Sequence, residues 1–171
     1  RLASAMAVRA AVEYLADDAA ATDGAAALLL GLAADGHMRV RYAALYALGQ
    51  MCHDLRGSFA ESWHPRLAPV LLRACVDPVE RVAAKATSTL EALIGELDRA
   101  TLAEHAPAIL QVFLERLRAS SHSGVLVAVM EALGALAVGM GPAFQEYYGG
   151  FMEPLLAFVA GEATAEAGRL R

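Results

Sequence analysis

The chain has 171 residues, enough for one ordinary domain with a core. Its formal net charge of -5 argues against a general nucleic-acid binder, which would carry a basic excess. Hydrophobic residues make up 57% of the chain, and many of these are alanine. The longest stretch without a charged side chain, residues 132–145, is shorter than the ~20 residues that cross a bilayer. We therefore predict no transmembrane segment.

The two ends of the chain and its two cysteines indicate the kind of protein and the compartment from which the chain comes. The first residues lack the order of a signal peptide and already follow a helical rhythm. The last residues, 161–171, break off with that rhythm unfinished, so we expect an interior piece of a longer array. Cys52 and Cys75 lie among apolar helical residues, which predicts buried free thiols in a reducing compartment.

Helical periodicity runs along the chain, and strand signals are nearly absent. Within 79–97, for example, Val82, Leu90 and Leu97 belong to one apolar stripe. Turn and cap residues such as Asp23-Gly24 and Arg56-Gly57 recur between the periodic segments. The pattern predicts an all-α protein with helices near 2–18, 24–34, 38–55, 60–76, 79–97, 101–119, 123–140 and 143–160, and another from 162.

A sequence repeat is visible in these helices. Asp35 recurs as Asp77, and each aspartate is followed at the same interval by a valine, Val40 or Val82. The tripeptide Ala-Leu-Gly occurs at 47–49 and again, two such periods later, at 132–134. The interval from Asp35 to Asp77 lies within the ~40–47 residues of one helical hairpin in HEAT arrays. We predict an α-solenoid of about four such hairpins.

The details of the repeat resemble the HEAT pattern, in which an Asp closes the turn and a Val-Arg pair opens the second helix. Asp35 with Val40 and Arg41 fits fully, since Asp35 can accept backbone N–H bonds at a helix start. Arg41 can then reach an Asp in its own or a neighbouring repeat. The second copy has Ala83 in the arginine position, and the third, near Ser120, has neither residue. An Asp–Arg ladder is predicted for the first copy alone.

Within HEAT proteins the chain resembles the importin-β family, most closely the importin β-3 branch of nuclear transport receptors. The residues that carry this resemblance are 40–44, 48–51, Phe59, Asp77, Phe144, Tyr147, Tyr148, Phe151, Met152, Pro154, Leu155, Leu170 and Arg171.

The resemblance implies a right-handed superhelix with first helices on its convex side and second helices on its concave side. Its units would be roughly 1–18 (second helix only), 24–55, 60–97, 101–140 and 143–171. It implies protein cargo, the GTPase Ran and Phe-Gly nucleoporins as partners, and shuttling between cytoplasm and nucleus. A HEAT scaffold that organises a multiprotein complex is the alternative.

Four acidic residues are the candidate protein-binding site. Glu91 and Glu131 occupy equivalent places in two Glu-Ala-Leu sequences, and Asp54 and Glu96 could extend them into an acidic track for basic cargo. An ordinary solvated helix face is the alternative interpretation.

The aromatic and basic residues have a structural and a functional interpretation. Tyr42 and Tyr46 share a helix face and are predicted to pack between helices, while Arg39 remains unassigned. Phe59 and Trp63 are predicted to pack between repeats, although exposed they would be anchors. Phe113, Leu114 and Leu117 are predicted to be core, with a Phe-Gly pocket as the alternative.

The sequence predicts no enzyme. It contains no nucleophile or phosphate-loop motif, and its five histidines lack zinc-ligand spacing, so no catalytic, metal or cofactor site is expected. The glycines inside helices, such as Gly49, Gly134 and Gly139, are predicted to permit close packing.

Overall fold

The computed structural model describes residues 1–15, 18–153, 156 and 160. A short 3-10 helix, Gly141–Phe144, and helical residues 145–153 close this part of the chain. No strand occurs among the described residues, as predicted. The described residues include the α-helices α1 (Leu2–Leu15), α2 (Ala19–Leu32), α3 (Met38–Cys75), α4 (Glu80–Glu96), α5 (Arg99–Ala119) and α6 (Ser123–Met140).

Helix α2 begins before its predicted start at 24. The Asp18 carboxylate accepts a hydrogen bond from the Ala21 N–H at 3.0 Å and so caps the helix. The predicted break at Asp23-Gly24 is therefore wrong, because both residues lie inside α2. A helix cap at Asp18 outweighed the turn propensity of the Asp-Gly pair.

The predicted break at Arg56-Gly57 is a kink of one residue. Arg56 has φ 55° and ψ -149°, and helix continues on both sides of it. Helix α3 thus has a first segment, 38–55, and a second segment, 57–75. Gly141, two repeat periods further on, has nearly the same backbone, with φ 56° and ψ -133°.

The helices form two layers. Helix α1, the first segment of α3, α4 and α6 stand in a row, each in contact with the next. Helix α2, the second segment of α3 and α5 form the other layer, with each first helix packed on the second helix that follows it. This arrangement is the HEAT-repeat α-solenoid that the sequence predicts. The last predicted unit, 143–171, lies mostly outside the described residues, as do Pro154, Leu155, Leu170 and Arg171 of the resemblance.

The same kind of hydrogen bond, from a backbone N–H to the side chain two residues earlier, occurs in three turns between a first and a second helix. The Asp35 carboxylate accepts from the His37 N–H at 2.8 Å, and the Asp77 carboxylate accepts from the Val79 N–H at 2.8 Å. In the third turn, the Ser120 hydroxyl oxygen accepts from the N–H two residues later at 3.2 Å. Serine therefore replaces the missing aspartate, and the repeat persists in the backbone where the sequence motif ends.

Arg41 joins the first of these turns to the second. Its Nε and Nη2 donate to the two carboxylate oxygens of Asp77 at 2.7 and 2.9 Å, and its Nη1 donates to the Asp35 carbonyl at 3.0 Å. The pKa of Arg41 is raised, mainly by its hydrogen bond to Asp77, although burial opposes the shift. Asp35 in turn pairs with Arg1 at 2.7 Å. Val40 and Val82 are buried in the core beside these turns. We call each such link between neighbouring turns a rung.

The next rung has the opposite polarity. Arg116, in the last turn of α5, donates from Nη2 to the Glu80 carboxylate at 2.5 Å, and the Ser120 hydroxyl donates to the same oxygen at 3.3 Å. Here the second helix supplies the acid and the following first helix supplies the base. The Asp–Arg pair of the first rung is replaced, yet the two repeats are still linked by charge.

Small residues let helices approach, at one contact between two second helices, α3 and α4, and at another between the first helix α5 and the second helix α6. A Cβ on Gly49 would lie 3.2 Å from the Thr89 hydroxyl oxygen, and that hydroxyl donates to the Leu45 carbonyl of α3 at 2.9 Å. A Cβ on Gly139 would lie 2.5 Å from the side chain of Leu102. Close packing at Gly49 and Gly139 is thus confirmed, whereas Gly134 has no neighbour within 4 Å of that position.

One described stretch, Ser123–Glu153, is long and apolar enough to cross a membrane, and 44% of its most apolar window is buried inside the fold. Val125, Val129, Leu136 and Met140 in this stretch belong to the common core. That burial is what a core helix in contact with α4 and α5 requires.

Candidate functional site

Three open grooves lie along the face of the second-helix layer. Each of four helices presents a stripe of residues at helical spacing, and the stripes border one another across three shallow grooves. We call this surface the second-helix face. Its stripes are Leu2, Met6 and Arg9 of α1; Arg39, Tyr42, Ala43, Tyr46, Gly49, Gln50 and His53 of α3; Arg81, Ala84, Lys85, Ser88, Thr89, Glu91 and Ala92 of α4; and Ser123, Gly124, Val127, Ala128 and Glu131 of α6.

Tyrosine rings and cations join these helices. The Arg9 guanidinium lies 5.0 Å from the ring centroid of Tyr46, and the Lys85 ammonium lies 4.8 Å from the same centroid. Arg81 lies 5.1 Å from the ring of Tyr42. Each such contact is worth about 0.5–1 kcal/mol at an exposed site. The predicted packing of both tyrosines between helices is confirmed, and their partners are cations of the neighbouring repeats.

Three grooves separate the stripes. The groove between α1 and α3 has a volume of about 370 Å³ and is lined by Leu2, Met6 and Ala43 with basic and tyrosine side chains around them. The groove between α3 and α4 measures about 340 Å³ and contains Glu91. The third, towards α6, measures about 450 Å³ and contains Glu131. All three are open, so they suit an extended segment of another chain rather than an enclosed small molecule.

The structure brings together two of the four predicted acidic residues. The pKa of Glu91 is raised by its partial burial and by the charge of Glu131, while Lys85 acts in the opposite direction. Glu131 is exposed. Glu96 is half-buried and lies close enough to Cys52 to influence its thiol.

Asp54 lies apart from that acidic pair. It accepts a hydrogen bond from the Gln50 amide at 2.8 Å and lines a separate cavity of about 320 Å³ between α2 and α3. Phe59 and Trp63 line the same cavity, and both are 4% exposed, so their predicted packing between repeats is confirmed. The Trp63 indole N–H donates to the Asp23 carboxylate at 2.9 Å. Nothing in the sequence pattern marked Asp23 as a partner for Trp63.

Other residues that the sequence analysis singled out lie in the core. Phe113 is fully buried and Leu114 and Leu117 pack against the core, so the core interpretation is confirmed over a Phe-Gly pocket. Cys52 and Cys75 are buried free thiols, and burial raises their pKa to about 12 and about 11. Within the described part of the chain, no three His, Cys, Asp or Glu residues are placed to hold a metal ion.

A pair of histidines joins two neighbouring first helices. The His64 Nδ1 and the His105 Nε2 are 2.9 Å apart, which links the second segment of α3 to α5. The pKa of His105 is lowered by burial and then by the charge of His64, and Glu104 acts against the shift. The two histidines are separated in sequence by about one repeat, and this spacing was the available signal for the pair.

The two helix layers, the repeated turns and the open second-helix face define a HEAT-repeat protein. The chain belongs to the family of GCN1-like HEAT repeats: residues 3–128 match the family model described as "Stalled ribosome sensor GCN1-like, HEAT repeats".

Solved structures of Kap121p, described as a karyopherin, have the same fold. Kap121p bound to Ste12p matches with a TM-score of 0.87 and 24% identity over 94% of this chain. Kap121p bound to Nup53p matches with 0.86 and 24% identity over 94%. These matches fit the resemblance to the importin-β family, and the importin β-3 branch stays a prediction. The chain spans 16% of the length of Kap121p.

Proposed function

We propose that the chain is a protein-binding segment of an importin-β-type nuclear transport receptor and that Glu91 and Glu131 bind a basic segment of cargo. The observation that carries this proposal is the approach of the two carboxylates from successive repeats. Partial burial and, next, repulsion by Glu131 raise the pKa of Glu91. A lysine or arginine placed between them would relieve that repulsion, which is a gain that a neutral segment cannot provide.

The comparisons support this proposal through the fold. Solved structures of Kap121p, which has this fold, are described as bound to Nup53p, Ste12p and Pho4p, and this supports a protein partner. In the whole receptor we propose that Glu96 extends the acidic surface, that Asp54 is not part of it, and that the array acts by binding, without catalysis. Ran in its GTP state and Phe-Gly nucleoporins would bind elsewhere and permit shuttling between cytoplasm and nucleus. A ligand can change the curvature only through unequal affinity for the two shapes.

The test is binding of a fluorescein-labelled Lys/Arg-rich peptide, measured by fluorescence anisotropy at two salt concentrations. The double variant Glu91→Lys, Glu131→Lys should weaken binding by about tenfold or more, which corresponds to ~1.4 kcal/mol or more. Glu115→Lys changes an exposed carboxylate on α5, in the other layer, and should leave affinity within about twofold. If Glu115→Lys weakened peptide binding as much as the double variant does, the net charge of the chain would explain the loss, and the proposal would be contradicted.

A second function has support from the family model. Its description names HEAT repeats of a stalled ribosome sensor, which favours a scaffold that organises a multiprotein complex. A pull-down with the longer protein separates the two functions. Capture of basic import cargo and Phe-Gly nucleoporins supports transport, whereas capture of ribosomal or other complex subunits alone supports the scaffold.

A further inference from the structure

The basic residues of the second-helix face form a row across three helices. Arg9 comes from α1, Arg39 from α3, and Arg81 and Lys85 from α4. Arg39 and Arg81 are separated by the same interval as Asp35 and Asp77, so they occupy the same position in successive repeats. In a chain with a net charge of -5, this is a local excess of positive charge. We call these four residues the basic row.

We propose that the basic row binds an acidic linear segment of a partner protein. The row is a surface of the opposite sign from the Glu91 and Glu131 pair, so this proposal does not depend on the function proposed above.

The cations are held in position mainly by aromatic rings, and Lys85 alone lies in one groove with Glu91, whose pKa it lowers. Arg39, Arg81 and Lys85 form no ion pair with any side chain that the structure describes. Arg9, Arg81 and Lys85 are held instead over tyrosine rings, which leaves their remaining N–H groups available to a carboxylate. A cation already held in place loses less side-chain entropy on binding than a mobile one.

Apolar surface beside the row has room for the side chains between the acids. The groove next to Arg9 and Arg39 is walled by Leu2 and Met6, which are 36% and 53% exposed. On the other side of Arg81 lies Val127, which is 50% exposed. A segment that alternates carboxylates with aliphatic residues would complement both features.

The distance between neighbouring helices determines the spacing of the acidic residues in the segment that would bind the basic row. Packed helices lie about 8–10 Å apart, and an extended chain advances about 3.3 Å per residue. A strand that crosses the row at right angles to the helices therefore meets a new helix about every third residue. We expect Asp or Glu at every third position over roughly nine residues.

A protein segment fits better than a nucleic acid. Cations already lie over the rings of Tyr42 and Tyr46, so these rings are not open platforms for stacked bases. Glu131 lines the same groove as Arg81 and would repel a continuous phosphate backbone. A peptide can place a neutral or basic residue at that point.

The test uses the full 171-residue chain and a fluorescein-labelled 12-residue peptide with glutamate at every third position, separated by leucine and serine. A matched peptide has glutamine in place of each glutamate, and a 12-nucleotide single-stranded DNA is the third probe. Fluorescence anisotropy gives each affinity at low and physiological salt. We expect the glutamate peptide to bind at least about tenfold more tightly than the glutamine peptide and more tightly than the DNA.

Charge reversal then locates the site. The double variant Arg39→Glu, Arg81→Glu should lose about tenfold or more of the affinity for the glutamate peptide. Arg73→Glu removes an exposed positive charge near the end of α3, in the other layer, and should stay within about twofold of the unaltered chain. Circular dichroism confirms that each variant folds. Equal binding of the two peptides, tighter binding of DNA, an equal loss in Arg73→Glu, or no binding of the glutamate peptide would each overturn the proposal.

Discussion

Both rungs join neighbouring repeats by an ion pair, but the second helix supplies the base in the first rung and the acid in the second. In the first, Arg41 of a second helix reaches forward to Asp77 in the next turn, and the side chains are 15% and 8% exposed. In the second, Glu80 of a second helix is reached by Arg116 at the end of the next first helix, and the Glu80 side chain is 41% exposed. The comparison shows that the repeat retains a charged link between turns and not the identity of the residues that make it.

The rungs also differ in how completely they satisfy their polar atoms. Arg41 places Nε, Nη1 and Nη2 on oxygen acceptors, whereas the buried Nε of Arg116 is without a hydrogen-bond partner among the described residues. A buried donor without an acceptor opposes the stability that its ion pair contributes. We therefore expect the first rung to stabilise the array more than the second.

Asp77→Ala should produce the largest loss. It leaves the mostly buried Arg41 without its carboxylate and removes the acceptor for the Val79 N–H, which together should cost about 3 kcal/mol of the free energy of unfolding. Urea denaturation followed by circular dichroism measures the change. Asp77→Asn keeps an oxygen acceptor for the turn and isolates the charge. Arg116→Ala should cost about 1 kcal/mol, and a loss as large as that of Asp77→Ala would contradict the ranking of the rungs.

The sequence predicted the all-α class, the repeat period and the apolar stripe that contains Val82, because apolar periodicity and turn chemistry are local signals. It did not predict the second rung, since Glu80 and Arg116 lie far apart in sequence and follow no motif. The start of α2 was also missed, because a single aspartate cap and an Asp-Gly pair gave conflicting local signals. The approach of Glu91 and Glu131 was anticipated from their equivalent positions in successive repeats, whereas the separation of Asp54 depends on the packing of α2 and α3.

A second comparison concerns two turns with the same backbone, of which one has a strained arginine, Arg56, and the other a glycine, Gly141, that adopts it without strain. Arg56 and Gly141 have nearly equal positive φ at positions two repeat periods apart. Gly141→Ala should cost about 2 kcal/mol, because alanine is strained at this φ and its Cβ would lie 3.0 Å from Arg99.

The reciprocal change, Arg56→Gly, should raise the free energy of unfolding by up to about 1 kcal/mol, because glycine adopts this backbone without strain. Thermal and urea unfolding of the two variants measure whether each substitution raises or lowers the free energy of unfolding. A stabilising Gly141→Ala or a strongly destabilising Arg56→Gly would mean that the two turns are not equivalent.

The smallest expected effect is a pH dependence at the His64–His105 contact. The folded pKa of His105 lies below its usual value of about 6.5, so below that pH the unfolded chain binds more protons. Stability should therefore be constant above about pH 7 and decline as the pH falls through the folded pKa. Glu104 on α5 and Asp98, whose own pKa is lowered chiefly by a hydrogen bond from the Thr101 N–H, are the nearby acids.

Urea denaturation at pH 7.5 and 5.5 checks this dependence. The raised pKa of Glu91 contributes in the opposite direction, so the comparison must be with a matched variant. His105→Gln should lose less stability between the two pH values than the unaltered chain does. An equal loss in both proteins would remove His105 as the cause.

A double-mutant cycle on Arg41→Ala and Asp77→Ala tests most directly whether neighbouring repeats are joined turn to turn. We predict a coupling free energy of at least about 1 kcal/mol between the two positions, and additive effects for Arg41→Ala combined with Arg116→Ala. Additive effects of Arg41→Ala and Asp77→Ala would show that these residues do not act as a pair and would contradict the proposed joint between repeats.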